Sequence, residues 1–298
     1  VRARCERIFA SLDRGAALDA VAILNGGESS LDSTFRWVSG VRSGGYEGCA
    51  AILLPAERPR LVVSRLEEES ARTAPDADVL PFANQAAFRE TLRTALGPAR
   101  RIGVNGAVAP WAKVRLLQEL VPAAEIVDAG DAVTRARLVK DADEIARVRR
   151  ACRLVAEIAD ALPSMLREGL TERQLAGEIA TAMLRRGAEA AFPTIVAFGP
   201  GGAEPHYSPG DVSLRRGDLV LADFGARLDG YCSDITRTCV FGAASVAQRL
   251  MYDVVRRAQE RALAGVRPGA PGRDVHRAAA DVVDASELAG RFVHGTGH

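Results

Sequence analysis

The chain of 298 residues is 48% hydrophobic and 26% charged, the profile of a soluble globular protein with room for about two domains. Lys and Arg number 39 against 38 for Asp and Glu, and the resulting net charge of +1 gives nucleic acid or an anionic membrane no electrostatic footing. No apolar run approaches the roughly 20 residues of a spanning helix, and Val1 to Ala10 lacks the apolar centre of a secretory signal.

Cys5, Cys49, Cys152, Cys232 and Cys239 are odd in number, widely spread and never spaced C-x-x-C. That excludes a disulfide framework or a thiolate zinc site and places the protein in a reducing cytoplasm.

The first stretch alternates short β patterns with helices. Val21 to Leu24, ending in Asn25-Gly26-Gly27, reads as a strand and turn. Cys49 to Leu54 and Leu61 to Ser64 flank Pro55-Ala56-Glu57-Arg58-Pro59 and read as paired strands around a turn. Gln85 to Leu96 has a helical pattern stopped by Gly97-Pro98. Arg101 to Asn105 is a further strand, Trp111 to Leu120 a helix and Glu125 to Asp128 a strand. This alternation predicts an α/β domain over 1–135.

The texture changes at Lys140-Asp141-Ala142-Asp143-Glu144, where a second domain, 136–298, is entered. Ile145, Val148, Cys152, Val155, Ile158 and Leu162 recur at helical spacing with acids at the start of the run. Gly169 ends that helix, and Thr171 with Gln174 three residues on forms a capping box for another, to about Arg186. A second helix pair, Val246 to Ala264 and Arg273 to Ala285, is broken at Arg267-Pro268-Gly269-Ala270-Pro271-Gly272. Each pair precedes a β-rich stretch, from Phe192 and from Arg291. A unit used twice predicts an α+β domain with pseudo-two-fold symmetry.

The chemistry concentrates between Gly199 and Val240. Leu219 to Ala222 is a buried-strand pattern that delivers Asp223 to its end; Asp229-Gly230 is a hairpin turn signal, and Tyr231 to Thr236 returns Asp234 alongside Asp223. Two carboxylates held that close repel unless a cation sits between them. Either Asp alone reads better as a turn residue. Phe224-Gly225 after Asp223 mimics a kinase magnesium motif, but no glycine-rich loop, strand Lys or His-Arg-Asp precedes it.

Two of the four histidines fall in Phe292-Val293-His294-Gly295-Thr296-Gly297-His298. Gly295 stands where a zincin helix carries its Glu, so an extended segment fits better, with residues two apart on one face. Each His alone reads more readily as a hydrogen-bonded structural residue than as a ligand. His206, between Pro205 and Pro209-Gly210, sits on a rigid loop as a surface turn residue or as a proton donor or substrate clamp. His276 belongs to the solvated face of a helix.

Asp-Phe-Gly-Ala at 223–226, Gly-Tyr-Cys-Ser-Asp-Ile-Thr-Arg-Thr at 230–238, Pro-His-Tyr at 205–207 and His-Gly-Thr-Gly-His at 294–298 together resemble the pita-bread metallopeptidases. The closest branch is that of Xaa-Pro dipeptidase (prolidase) and aminopeptidase P. Asp32 to Gly40 resembles the family's creatinase-type N-terminal domain, and Arg137 to Glu144 its entry into the catalytic domain. The resemblance implies that Asp223 chelates one metal, Asp234 bridges two and His298 binds the other. His206 would help hold the substrate and His294 would line the proline-side pocket. Two divalent metals would act as Lewis acids and supply the nucleophile, with Mn preferred and Co or Zn as alternatives. Two Glu ligands and the last strands would follow His298, so the catalytic domain is C-terminally incomplete as written and a longer natural chain is expected.

The function implied is cleavage of the peptide bond before proline in a dipeptide or short peptide, by a homodimer. Two alternatives stand beside it. One is hydrolysis of a small non-peptide C–N bond, as in creatinase or ectoine hydrolase; the other is a non-catalytic pita-bread module that binds protein.

Overall fold

The computed structural model describes residues 1–13, 15–42 and 44–297. It comprises two units, Val1–Arg147 and Val148–His298. Among the described residues no helix is long and apolar enough to cross a membrane.

The first unit runs α1 (Arg2–Ala10), β1 (Ala20–Leu24), α2 (Ser33–Ser39), β2 (Ala50–Leu53), β3 (Arg60–Ser64), α3 (Glu68–Ala71), β4 (Asp78–Phe82), α4 (Gln85–Leu96), β5 (Arg101–Val104), α5 (Trp111–Leu120), β6 (Glu125–Asp128) and α6 (Gly130–Leu138). Its strands form one mixed sheet in the order β4-β3-β2-β1-β5-β6. Both faces of β1 are buried, as the uninterrupted apolar run Ala20–Leu24 demands. Val21 and Ile23 pack on one face with Ile8, Phe35, Trp37 and Val133. Ala20, Ala22 and Leu24 pack on the other with Phe88, Leu92 and Leu117. The period of two thus builds two cores on one sheet.

The paired strands around residues 55–59 and the helices over 85–96 and 111–120 form as expected from the sequence. Asn84 caps α4 by accepting from the Ala87 N–H, and Gly97, at φ 59°, ends it. Glu144 is a buried acid tied to this unit: it accepts from Trp37 Nε1 at 2.7 Å and Arg7 Nη2 at 3.0 Å.

The second unit continues with α7 (Ala142–Met165, which the division between units crosses), α8 (Glu172–Leu184), β7 (Glu189–Ala190), β8 (Ile195–Phe198), β9 (Leu219–Phe224), β10 (Ala226–Leu228), β11 (Tyr231–Cys232), β12 (Ile235–Val240), α9 (Val246–Gly265) and α10 (Gly272–Asp284). Two three-stranded sheets form, β12-β9-β8 and β11-β10-β7. Val196, Phe198, Val220, Ala222 and Phe224 face Val155, Ile158, Leu162, Leu175 and Ile179 of the helices in one core. The capping box at the start of α8 is present in full, with Thr171 and Gln174 each serving the other's backbone N–H.

Helices α9 and α10 pair through Val254, Ala258, Ala262, Ala279 and Val283. Two expectations fail here. Among the described residues no strand forms from Arg291 onward; an extended segment needs a neighbouring edge for its N–H and C=O groups, and none pairs with it. His276 is not on a solvated face: its ring lies 5.3 Å from that of Phe292, and Nδ1 is 2.8 Å from Thr296 Oγ1.

The thiols divide sharply by burial. Cys5 and Cys49 are 2% and 1% exposed, and desolvation of the thiolate pushes their pKa values up to about 12 and about 11. Cys152 and Cys232 are exposed. Alkylation of the native protein at about pH 8 is therefore expected to modify Cys152 and Cys232 first, and Cys5 and Cys49 only after denaturation. Peptide mass spectrometry reads this directly, and early labelling of Cys49 would contradict the burial.

Candidate metal centre

Asp223 and Asp234 lie on one long hairpin. Phe224 pairs with Ile235 and Asp223 with Thr236, and beyond an interruption Arg227 pairs with Cys232 and Leu228 with Tyr231. Asp229 and Gly230 close it with φ values of 51° and 82°, the type I′ geometry that matches the twist of paired strands. Arg150 of α7 ion-pairs with Asp229 at the tip.

That register refines the expected juxtaposition. Asp223 faces Thr236 directly, and Asp234 lies just outside the paired residues, two positions nearer the turn; the strand alternation continued from Thr236 puts both carboxylates on one face. Leu221, Thr236 and Thr238 share this face, while Val220, Ala222, Phe224 and Ile235 point into the core. Asp223 is half-buried and Asp234 exposed.

The interruption between the two carboxylates is built by two residues. Ser233 N–H donates to Ala226 O at 2.9 Å, but the Ala226 N–H is received by Ser233 Oγ at 3.1 Å. The serine hydroxyl thus takes the place of a ladder carbonyl. Gly225 allows the close approach: a Cβ there would stand 2.0 Å from Ser233 O and 2.7 Å from Phe192 Cε1. Gly225 O in turn accepts from Ala191 N–H at 2.8 Å. Neither Gly225 nor Ser233 stands out in the sequence as more than part of a motif.

The turn Gly199–Ala203, which precedes the loop bearing His206, lies against the same face. A Cβ on Gly202 would be in ordinary contact with that face, 3.7 Å from Leu221 Cβ, and Leu221 is two residues before Asp223. His206 itself is exposed.

His294 is placed with the helix pair. Its ring packs edge-on against Phe292 at 5.0 Å, and its Nδ1 lies 2.7 Å from Gly295 O. A carbonyl only accepts, so Nδ1 is the donor in this contact, and Nε2 is not engaged by it. His298 lies outside the described residues.

Two same-face carboxylates are hard oxygen donors of the kind divalent cations take, and together they offset the charge of one dication. They fit part of a metal site. Among the described residues no group of three or more His, Cys, Asp or Glu is arranged to hold a metal.

Comparison with known proteins bears on the whole chain. Residues 146–298 match the model of metallopeptidase family M24, and residues 4–139 match the creatinase/prolidase N-terminal domain. The Xaa-Pro dipeptidase of Pyrococcus furiosus is 30% identical over 256 residues, covering 86% of this chain and 71% of that protein. The crystal structure of the prolidase from Pyrococcus horikoshii superposes with a TM-score of 0.87 at 27% identity, covering 99% of this chain and 81% of that one. The X-Pro aminopeptidase of Thermotoga maritima gives 0.84 at 25% identity, covering 95% and 77%. The creatinase-type domain followed by a pita-bread catalytic domain, expected from the motifs, is the architecture these matches share.

Proposed function

The chain belongs to metallopeptidase family M24, and on that premise we propose that it hydrolyses the peptide bond preceding proline. The observation that carries this reading is the hairpin that holds Asp223 and Asp234 on one face, pinned between them at Gly225 and Ser233. In this reading Asp223, Asp234 and His298 would hold two divalent metals, with Asp234 shared between them. Mn is the metal we favour, with Co or Zn as substitutes, because carboxylates outnumber nitrogen donors in the set. When bound, the metals supply Lewis acidity and an activated nucleophile.

The remaining roles belong to the chain's own side chains. His206, on the exposed loop that follows the turn Gly199–Ala203, holds the substrate by hydrogen bonding. His294 lines the proline-side pocket, its Nδ1 proton being engaged by Gly295 O. We assign the protein to the cytoplasm, supported by its scattered cysteines, and to a homodimer, which sedimentation of the protein would test.

The activity test uses the Mn-loaded natural protein on Ala-Pro, Ala-Pro-Ala and Ala-Ala. Cleavage of Ala-Pro alone assigns a dipeptidase, and cleavage of Ala-Pro-Ala an aminopeptidase. Ala-Ala should be cut at least about 100-fold more slowly than the preferred substrate, the scale on which a shaped pocket discriminates. Failure on both proline peptides would overturn the peptidase reading, and turnover of a creatine-type C–N bond in their place would move the protein to the small-molecule hydrolases.

A further inference from the structure

Glu172 is the first residue of α8, and its side chain is fully buried at 0% exposure. Sequence alone makes it an ordinary first-turn acid, favoured there by the helix dipole. Its partners say more. Oε1 accepts from the Phe198 N–H at 2.8 Å, where β8 ends. Oε2 accepts from the Gly210 N–H at 2.9 Å, where the following loop returns, and from the Tyr207 hydroxyl at 2.9 Å. One carboxylate therefore clasps both ends of the segment between Phe198 and Gly210, and also the side chain adjacent to His206.

We infer that Glu172 is a positioning residue for His206, holding the loop that carries this histidine against the face bearing Asp223. The inference rests on the proposed role of His206 in holding substrate. Backbone bonds support the same join: Arg173 N–H donates to Gly210 O at 3.0 Å and Glu172 N–H to Val212 O at 3.2 Å. Those bonds fix residues 210–212, not residue 206. The reach to position 207 comes from the carboxylate through Tyr207. Gly201 fits beneath the Tyr207 ring, where a Cβ would stand 3.1 Å from Cε2, so the ring has a defined seat. The hydrogen bond to Glu172 also holds the Tyr207 hydroxyl pKa above its ordinary value, keeping it a donor.

A carboxylate is needed because three donors converge on two oxygens. A carboxamide offers one oxygen and one NH2, and the NH2 cannot receive a backbone N–H. Glu172→Gln must therefore strand at least one of Phe198 N–H or Gly210 N–H in a buried setting. Tyr207→Phe removes only the hydroxyl bond.

The test uses the protein with and without Mn. Hydrogen exchange by mass spectrometry follows residues 198–210, and nitrogen NMR of the Mn-free protein follows the imidazole of His206, identified by its loss in His206→Ala. Glu172→Gln should speed exchange across residues 198–210 by about tenfold, move the His206 signal and raise KM for Ala-Pro about 5- to 20-fold with little change in kcat. Tyr207→Phe should do the same to a smaller degree, and it serves alone if Glu172→Gln does not fold. Unchanged exchange and an unmoved His206 signal overturn the inference, as does a uniform fall in kcat at constant KM. If His206→Ala leaves Ala-Pro turnover intact, the substrate role of His206 fails and the positioning role with it. If no variant, nor the unaltered protein, cleaves Ala-Pro, the peptidase reading fails, and exchange and NMR still decide whether Glu172 sets His206.

Discussion

Asp234→Asn is expected to lower kcat/KM on Ala-Pro by at least about a thousandfold, the equivalent of about 4 kcal/mol of transition-state stabilisation. Asp234 is exposed and lies on the same face of the hairpin as Asp223, two residues from the Thr236 that Asp223 faces. An amide keeps the shape but surrenders the negative charge and one of two equivalent oxygens, so a residue that bridges two cations loses the capacity to do so. The fold should not notice: an exposed substitution away from caps and cores typically shifts stability by within about 0.5 kcal/mol. The discriminating measurement pairs kinetics with metal content by elemental analysis and with thermal unfolding. Full retention of both metal and activity would remove Asp234 from the site, whereas loss of both, with the melting temperature of the metal-free protein unchanged, assigns it as a ligand. Asp223→Asn should behave alike in activity. Being half-buried between β8 and β12, opposite Ile195 and Thr236, it should cost more stability than the exposed position.

Much of this hairpin is legible in the amino-acid sequence, because its turn is local. Asp229-Gly230 supplies the two positive φ values a type I′ turn requires, and the turn then sets the register of every pair up to Leu219 and Val240. The helices with explicit stops, such as the one ended by Gly97, are legible for the same reason. Others are not. β4 contains Pro81, which argues against a strand in the interior of a sheet, but β4 is the edge strand, where the missing N–H costs least. α1 buries only Cys5 and Ile8 among its nine residues, too thin a stripe to register as periodic. α6 buries Ala132, Val133 and Ala136, two of them alanines that read as neutral. Glu172 escapes entirely, since its three partners lie 26 to 38 residues away and no local pattern announces them. The strand expected from Arg291 onward is absent among the described residues for the converse reason: alternation can suggest a strand but cannot provide its neighbour.

Gly225→Ala is expected to be the most destabilising single methyl that can be added to the site, at about 3–5 kcal/mol and a melting temperature lower by about 10 °C. The new Cβ would meet the Ser233 carbonyl oxygen at 2.0 Å and Phe192 Cε1 at 2.7 Å. Backbone cannot step aside as a flexible side chain would. Ser233 is 6% exposed and is held by its N–H on Ala226 O and its hydroxyl on Ala226 N–H. Relief must come from spreading the two strands, which breaks those bonds and separates the faces carrying Asp223 and Asp234. Metal retention should therefore fall together with stability, although no proposed ligand has been touched. Gly230→Ala provides the contrast. Its φ of 82° makes any side chain strained, but nothing lies within 4 Å, so the cost should stay near 1 kcal/mol and metal content should be kept. Urea unfolding of both variants, with metal analysis of each, separates conformational strain at the tip from steric intrusion between the carboxylates. Equal losses in the two would mean that the pinch at Gly225 does not organise the site.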